Sequence, residues 1–469
     1  TEVSAELAAA FRPGDRIVVV QTTGDIIHVS ASVSRLTDEA VGRAVDGFAA
    51  LSRVPGEQIT AFYEAFAQAL ANDRIFSEIS AANTVDVADA LRRDRATNRL
   101  NLDAKMRASM IEALRMWRDL PDARDVQART VDHGSWSVAE VRAPLGVIGF
   151  VFEGRPNVFA DATGVLRSGN SAVFRIGSDA LGTARSMMAH AVEPALERSG
   201  LPRGSVVLLD SPERSAGHAL FSHPKIALAV ARGSGPAVAQ LGAVARQSGI
   251  PASLHGTGGA WMIVSPNARA DRVTGCVDAS LDRKVCNTVN VICLARRNGV
   301  LLEAVVNGLD QAAQRLSARA LVHVVGSDSD EREVRHAVGE RRIDIERESN
   351  DDVLAQEWEW DVRPEMSLRF VDDINESIEL FNRHSPQFIL SMVSDDSTEV
   401  DEAYRLANAP FVGDGFTRWV DGQYALLRPE LGLSNWQDGR LFARGGILSG
   451  DGVFSVRYRS THASSDQRR

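Results

Sequence analysis

The sequence predicts an α/β protein built on parallel, doubly wound sheets, and three observations predict it. Short apolar runs recur at 147–152, 171–174, 206–209, 226–230 and 261–264, a length that suits strands better than helices. Helical stretches at 158–166, 180–199, 215–221 and 237–247 separate them. A second block, 268 to about 433, repeats the alternation with strand runs at 289–295, 320–325, 367–371 and 389–393. Strands covered by helices on both faces lose their polar face, so they read as continuous apolar runs.

The remaining elements follow in chain order. Arg16 to Val20 reads as a strand and 38–52 has helical spacing. In 58–70 the apolar residues Ile59, Phe62, Phe66 and Ala69 fall three and four apart, and 106–117 repeats the pattern, so both are amphipathic helices. Residues 135–141 alternate, as a half-buried strand does. In the tail, 452–459, Val453, Ser455 and Arg457 alternate against Phe454, Val456 and Tyr458, which predicts an edge strand that pairs with another subunit. No internal repeat is visible, and 464–469 has the composition of a frayed terminus.

A length of 469 residues with 44% hydrophobic content suits two globular domains and an appendage. The net charge of -10 argues against nucleic acid or an anionic membrane as the main partner, because both call for a basic field. No apolar run approaches the roughly 18 residues of a membrane span, and residues 1–10 are mixed polar, so the expected location is the cytoplasm. Cys276, Cys286 and Cys293 lack CxxC spacing, which predicts no disulfide framework and no metal site.

Two strings carry chemistry. Arg283-Lys284-Val285-Cys286-Asn287-Thr288 sets a cysteine in a polar turn between a helical and an extended pattern, where a thiolate can attack and hold an acyl group. In 144–158, PLGVIGFVFEGRPNV, a buried-type strand ends in a Gly, Arg, Pro and Asn cluster. Together they read as nucleophile plus oxyanion donor. A lone cysteine more often packs as a small hydrophobe, the reading given to Cys276 and Cys293.

These strings, with RSGNSAVFRIGSDA (167–180), Arg232-Gly233-Ser234-Gly235, VCNT (285–288), FVDD (370–373), FTRWVDG (416–422), ELGLS (430–434) and ARG (443–445), occur in the order of the aldehyde dehydrogenase superfamily. From Gln58 to Tyr458 the chain resembles that superfamily, and within it the gamma-glutamyl phosphate reductases; the first fifty or so residues fall outside the likeness. The resemblance implies an aldehyde dehydrogenase-like fold. Its parts are a Rossmann-type nicotinamide cofactor domain over 1–263, an α/β catalytic domain over 264–434, and a return segment and oligomerisation strand over 435–469. A small β hairpin at 131–142 would join that strand in a homo-oligomer.

By position, Cys286 matches the family nucleophile and Asn157 the asparagine whose amide binds the oxyanion; Asn157 can also cap the helix at Val158. Arg175, Gly177 and Ser178 fall where the family contacts the adenosine ribose. Arg175 there suits a 2′-phosphate, favouring NADPH over NADH, or is a solvated strand-end arginine. Arg232, Gly233 and Ser234 precede a helix and offer N–H groups to a pyrophosphate. Arg155, Arg418 and Arg444 are candidates for gripping a substrate carboxylate or leaving phosphate, or they make surface and interdomain ion pairs. Glu153, Asp421 and Glu430 can pair with them, and Asp421 or Glu430 can meet a substrate ammonium. His255 matches a family histidine or is a loop residue.

Gly256 stands where hydrolytic relatives carry the glutamate that activates water. A thioester spared from water can exchange with phosphate or a thiol, so the resemblance implies reduction of an acyl phosphate, or of a CoA or carrier-protein thioester, to an aldehyde. The substrate is a small activated acyl compound, with a kinase or acyl-donor enzyme as a possible partner; a catalytically idle oligomeric partner is the non-enzymatic alternative. Trp261, Ile263, Phe388, Ile389, Leu390, Phe416, Tyr424 and Phe442 are bulkier or more apolar than the reductase pattern, Asp414 replaces an asparagine, and Asn290 replaces a glutamate. Such changes fit a more apolar acyl group or a repacked core.

Overall fold

A computed structural model describes residues 3–95, 97, 99–296, 298–418, 425–432, 434, 436–437, 439–441 and 449–463. The chain divides into two compact units, one of Thr1–Gly256, Leu427–Gly432 and Gly445–Arg469, the other of Thr257–Leu426 and Leu433–Arg444.

The first unit opens with a short helix, Ala5–Ala10, and a ribbon of β1 (Arg16–Val19) and β2 (Ile26–Val29), then helices Ala31–Leu51, Gly56–Ala71, Asp73–Arg92 and Ala104–Asp119. Helix Asp73–Arg92 has no counterpart in the sequence reading, because only Ile79, Asn83 and Ala90 along it are buried and no apolar stripe forms. Strands β3 (Gln127–Asp132) and β4 (Trp136–Pro144) form an antiparallel hairpin. The tail strand Phe454–His462 pairs with β4 of its own chain along nine residues and forms one edge of this three-stranded sheet.

The central sheet of this unit contains β5 (Val147–Phe152), β6 (Ser171–Ile176), β7 (Val206–Leu208), β8 (Ile226–Arg232) and β9 (Ala252–His255), ordered β7-β6-β5-β8-β9 and all parallel. Every residue of β5 and β6 is buried, as the continuous apolar runs require. Phe174 stacks on Phe150 at 4.9 Å and meets Phe159 at 4.8 Å, and burying each ring contributes roughly 1.5–3 kcal/mol. Behind the strand, the Trp117 indole N–H donates to Ala160 O at 3.0 Å and the Tyr63 hydroxyl to Thr163 O at 2.7 Å. Buried Arg167 donates to the carbonyls of Trp117 and Arg118, both at 2.6 Å. Two long helices thereby hold the segment that follows Asn157.

The second unit is a seven-stranded parallel sheet of β10 (Ala260–Val264), β11 (Val289–Ala295), β12 (Ala320–Val325), β13 (Ile343–Glu348), β14 (Glu365–Val371), β15 (Ile389–Val393) and β16 (Phe411–Gly413), ordered β13-β12-β14-β11-β10-β15-β16. Strand β10 pairs with β11 and β15, so the run grouped by sequence with the first unit, whose expected limit was residue 263, belongs to this sheet. The edge strands β13 and β16 escaped sequence reading because one is half polar and the other is three residues long. Helices Ala270–Ser280 and Gly299–Arg315 cover one face of the core. Among the described residues no helix is long and apolar enough to cross a membrane.

Candidate functional site

In the first unit the chain leaves β5 toward β6 on one side and later returns to β8 on the other. The C-terminal ends of β5 and β8 therefore flank a topological switch, where open α/β sheets bind ligands. Glu153 and Gly154 follow β5, and Gly233 and Ser234 follow β8. The N–H of Glu153 donates to Arg232 O at 2.9 Å, and its carboxylate accepts the Ser234 N–H at 2.8 Å. Glycine is required at 233 by close approach: a Cβ would lie 2.7 Å from the Glu153 carboxyl. The helix Gly235–Gln247 thus starts on an internal anion, which marks its N–H groups as anion-accepting.

Asn157 precedes helix Val158–Ala162 but makes no side-chain cap. Its Nδ2 donates to Asp161 Oδ2 at 2.6 Å, so the cap reading does not hold and the amide is aimed by the next turn. An amide nitrogen carries two hydrogens; fixing one fixes the direction of the other. Asp161 is 8% exposed, with Arg232 Nη1 3.7 Å from its Oδ2. Burial pushes its carboxyl up to about 6, against the opposing pull of Arg232 and Arg155.

His255, at the end of β9, is 6% exposed, and burial holds its pKa well below the ordinary value, with the charges of Arg232, Arg155 and Arg99 adding to the effect. Among the described residues, its Nδ1 and the Nε of Arg232 are buried with no hydrogen-bond partner. Buried polar atoms of this kind are suited to receive a ligand. Sequence reading missed Asp161 and Arg99; the i, i+4 spacing of Asn157 and Asp161 on a helix was the available signal.

The adenosine-side residues separate. Gly177 donates its N–H to Phe152 O at 2.8 Å and Ser178 is exposed, so both sit at the strand ends as expected. Arg175 is corrected: β6 runs on to Ile176, which places Arg175 inside the strand, and it is 7% exposed. Its Nη2 donates to the carbonyls of Pro212 at 3.2 Å and Glu213 at 2.9 Å, so it secures a loop and does not project as a phosphate grip. The next residue of that loop, Arg214, is exposed.

In the second unit Cys286 occupies a turn just before β11 and is half-buried, against the small apolar cluster of Ala260, Phe388 and Ile389. The turn is held at each residue. The Gly259 N–H donates to Cys286 O at 2.8 Å, and its φ of +105° is one that glycine alone adopts freely. Thr288 Oγ1 accepts the Val285 N–H at 2.9 Å and donates to Arg283 O at 2.6 Å. Thr417 Oγ1 donates to Asn287 O at 2.7 Å.

Lys284 Nζ and Glu357 Oε1 form an ion pair, with side chains 5% and 14% exposed, and Glu357 Oε2 accepts the Gly258 N–H. A Cβ on Gly258 would lie 2.8 Å from Cys286 Cα and 2.8 Å from Glu357 Oε1, so glycine lets the carboxylate brace the nucleophile turn. This carboxylate already accepts from a cation and an N–H, which makes it a poor base toward water. The Lys284–Glu357 pair was missed because 73 residues separate its members and no local spacing betrays it.

Arg418 is 2% exposed; its Nε donates to Asp282 Oδ1 at 2.7 Å and its Nη1 to Asn287 Oδ1. It holds the nucleophile turn, a correction to the expected grip on substrate. Asn290 accepts the Trp358 N–H at 2.9 Å and donates to Gln356 O at 2.8 Å, tying the Glu357 segment to β11. Of the positions that depart from the reductase pattern, Trp261, Ile263 and Leu390 are core, while Phe388 and Ile389 adjoin Cys286. Asp421, Arg444, Tyr424 and Phe442 lie outside the described residues.

A model of the aldehyde dehydrogenase family matches residues 16–332, starting about forty residues earlier than the resemblance did. A gamma-glutamyl phosphate reductase of Bradyrhizobium diazoefficiens is 27% identical, over 92% of this chain and 95% of its own length. The fold is that of the gamma-glutamyl phosphate reductase of Thermotoga maritima, with TM-score 0.76 and 21% identity over 92% of this chain and 100% of that one. Rhodopseudomonas palustris propionaldehyde dehydrogenase, solved with bound propionyl-CoA, shares the fold at TM-score 0.62 and 14% identity, covering 91% and 94% of the two chains.

Proposed function

The chain belongs to the aldehyde dehydrogenase family, and from that premise we propose that it reduces an acyl phosphate, in the simplest case gamma-glutamyl phosphate, to a semialdehyde with NADPH. Family membership makes it an oxidoreductase of aldehyde groups that uses a nicotinamide cofactor. The residues present fit such a cofactor: the helix start at Ser234 already accepts an anion, and Arg232 keeps a buried Nε without a partner. Arg232, Gly233 and Ser234 would hold its pyrophosphate, Gly177 and Ser178 its ribose, and exposed Arg214 its 2′-phosphate. When bound, the cofactor supplies hydride.

The protein's own part begins with Cys286. Its thiolate attacks the acyl carbon, the C–O bond to phosphate breaks, and the acyl group is held as a thioester while phosphate leaves. The Asn157 amide donates to the oxyanion at each tetrahedral stage, aimed by Asp161. After reduction the thiohemiacetal collapses, the C–S bond breaks and the aldehyde leaves with return of the thiolate. Arg155 and Arg99, which act on His255, give the first unit a positive field suited to a phosphate or carboxylate.

The observation that carries this reading is that neither Gly256 nor Glu357 offers a free base. Gly256 has no side chain, a Cβ there would already lie 3.2 Å from the backbone of Gly235, and both oxygens of Glu357 are engaged. Phe388 and Ile389 beside Cys286 favour a second reading, in which the donor is a CoA or carrier thioester of a more apolar acid. Oxidation of candidate semialdehydes with NADP⁺, in the presence of phosphate or of CoA, separates the two. Strict phosphate dependence and an acyl adduct on Cys286 by mass analysis are expected; CoA dependence selects the second reading. Cys286→Ala is expected to lose at least ~10⁴-fold in kcat, and an active variant rejects both.

A further inference from the structure

Away from the nucleophile turn, the second unit carries a cluster that its chemistry leaves unused. His323 on β12 lies opposite Glu346 on the edge strand β13, and Glu348, two residues on, shares its face. The imidazole is 3% exposed and stacks on Trp358 with ring centroids 3.7 Å apart and planes 5° from parallel. Its Nε2 meets Glu365 Oε1 at 2.8 Å. A carboxylate only accepts, so Nε2 carries the proton in this contact; in the neutral form of the ring the lone pair is then on Nδ1, on the side away from Glu365.

Nδ1 is buried with no hydrogen-bond partner among the described residues, and it lies 3.7 Å from Glu346 Oε2 and 3.6 Å from Glu348 Oε1. These separations are too long for N–H···O hydrogen bonds. They are close to the roughly 3.4 Å between two ligands on a tetrahedral ion with bonds of about 2.0–2.2 Å. All three donor atoms lie within 4.8 Å of one another. In that neutral form a lone pair would face two anions, an arrangement that a cation between them relieves.

We propose that His323 Nδ1, Glu346 and Glu348 bind a divalent transition-series cation such as Zn²⁺, with Glu365 orienting the imidazole. One nitrogen and two carboxylate oxygens suit such an ion, and carboxylate–histidine–metal relays fix the tautomer in this way. Glu346 and Glu348 have side chains 61% and 36% exposed, so an ion can enter from solvent. Bound there, it stiffens the imidazole under Trp358, whose N–H is held by Asn290 and whose neighbour Glu357 braces the nucleophile turn.

The test uses the full chain with Cys286→Ala, so that zinc captured by the catalytic thiol is not counted, stripped with chelator and titrated with zinc chloride by calorimetry. One zinc per chain is expected, lost in Glu346→Gln/Glu348→Gln, with Glu365→Gln weaker by roughly 10–100-fold. The exposed carboxylates can change without touching the core, so a folded double variant that binds zinc as tightly as its parent overturns the proposal. So does the absence of zinc binding by the parent. Nitrogen-15 NMR of the imidazole gives a second readout: Nδ1 is expected to shift on adding zinc, and a proton retained on Nδ1 with zinc present makes this an ion pair and overturns the site.

Discussion

The ends of β5, β8 and β9 in the first unit and the cysteine turn in the second solve opposite problems. Around Asp161 the protein buries a carboxylate and a neutral histidine beside a half-buried arginine, and leaves His255 Nδ1 and Arg232 Nε without hydrogen-bond partners among the described residues. Around Cys286 the turn is held by Gly259, Thr288, Thr417, Arg418 and the Lys284–Glu357 pair. Incomplete satisfaction costs stability and is suited to a surface that receives a ligand's charges. Bracing from several sides suits a nucleophile that must already stand in place, since misplacement of a reacting atom by about 1 Å can cost ~10²-fold in rate.

The largest effect should come from breaking the satisfied region. Lys284 and Glu357 are buried together, so removing one partner leaves an uncompensated charge, and Glu357→Gln or Lys284→Met is expected to destabilise the second unit by about 3–5 kcal/mol. Replacing both by apolar residues should recover much of that loss, and urea denaturation of the single and double variants checks it. If the singles unfold at the parent midpoint, the pair does not brace the turn.

The first unit should respond in rate more than in fold. Asn157→Ala is expected to lower kcat by about 10²–10³ with little change in KM, as removal of an oxyanion donor does; a change in KM alone would assign Asn157 to ground-state binding. Asp161 adds a pH signature. Its folded pKa, about 6, lies above the ordinary 3.8, so the folded state holds the proton longer than the unfolded chain and stability falls as pH rises from about 4 to 6. The shift of about 2 units corresponds to roughly 3 kcal/mol. Asp161→Asn keeps an acceptor for the Asn157 amide and should flatten that slope; denaturation midpoints at pH 4, 5, 6 and 7 decide it, and an unchanged slope clears Asp161.

How far each region was legible follows from the same contrast. The buried strands β5, β6 and β11 were readable because burial on both faces writes itself as an unbroken apolar run. The places of Cys286, in a turn before β11, and of Asn157, after β5, were readable because each sits in a short string whose residues are neighbours in the chain. Asp161 and Glu357, which aim and brace them, act through side-chain geometry that a string does not contain, Glu357 from 73 residues beyond Lys284. Arg418 and Arg175 show the converse: a guanidinium beside a motif reads as a ligand grip, yet both are buried on internal acceptors. The pairing of the tail strand with β4 was legible only through the family resemblance, since alternation identifies an edge strand but says nothing about which edge it meets.

The smallest expected effect tests whether the arginine displaced from the site has a successor. Arg175 Nη2 holds the carbonyls of Pro212 and Glu213, which leaves Arg214 exposed at the next position, with its charge felt by Arg175. A 2′-phosphate read there would meet a solvated guanidinium, a contact weakened by water and salt. Arg214→Ala should therefore raise KM for NADPH only about tenfold, or about 1.4 kcal/mol, and leave KM for NADH unchanged. Arg175→Ala should instead raise both together, because it loosens the loop and removes no contact specific to the extra phosphate. Equal effects of Arg214→Ala on the two cofactors would mean that this loop does not distinguish NADPH from NADH.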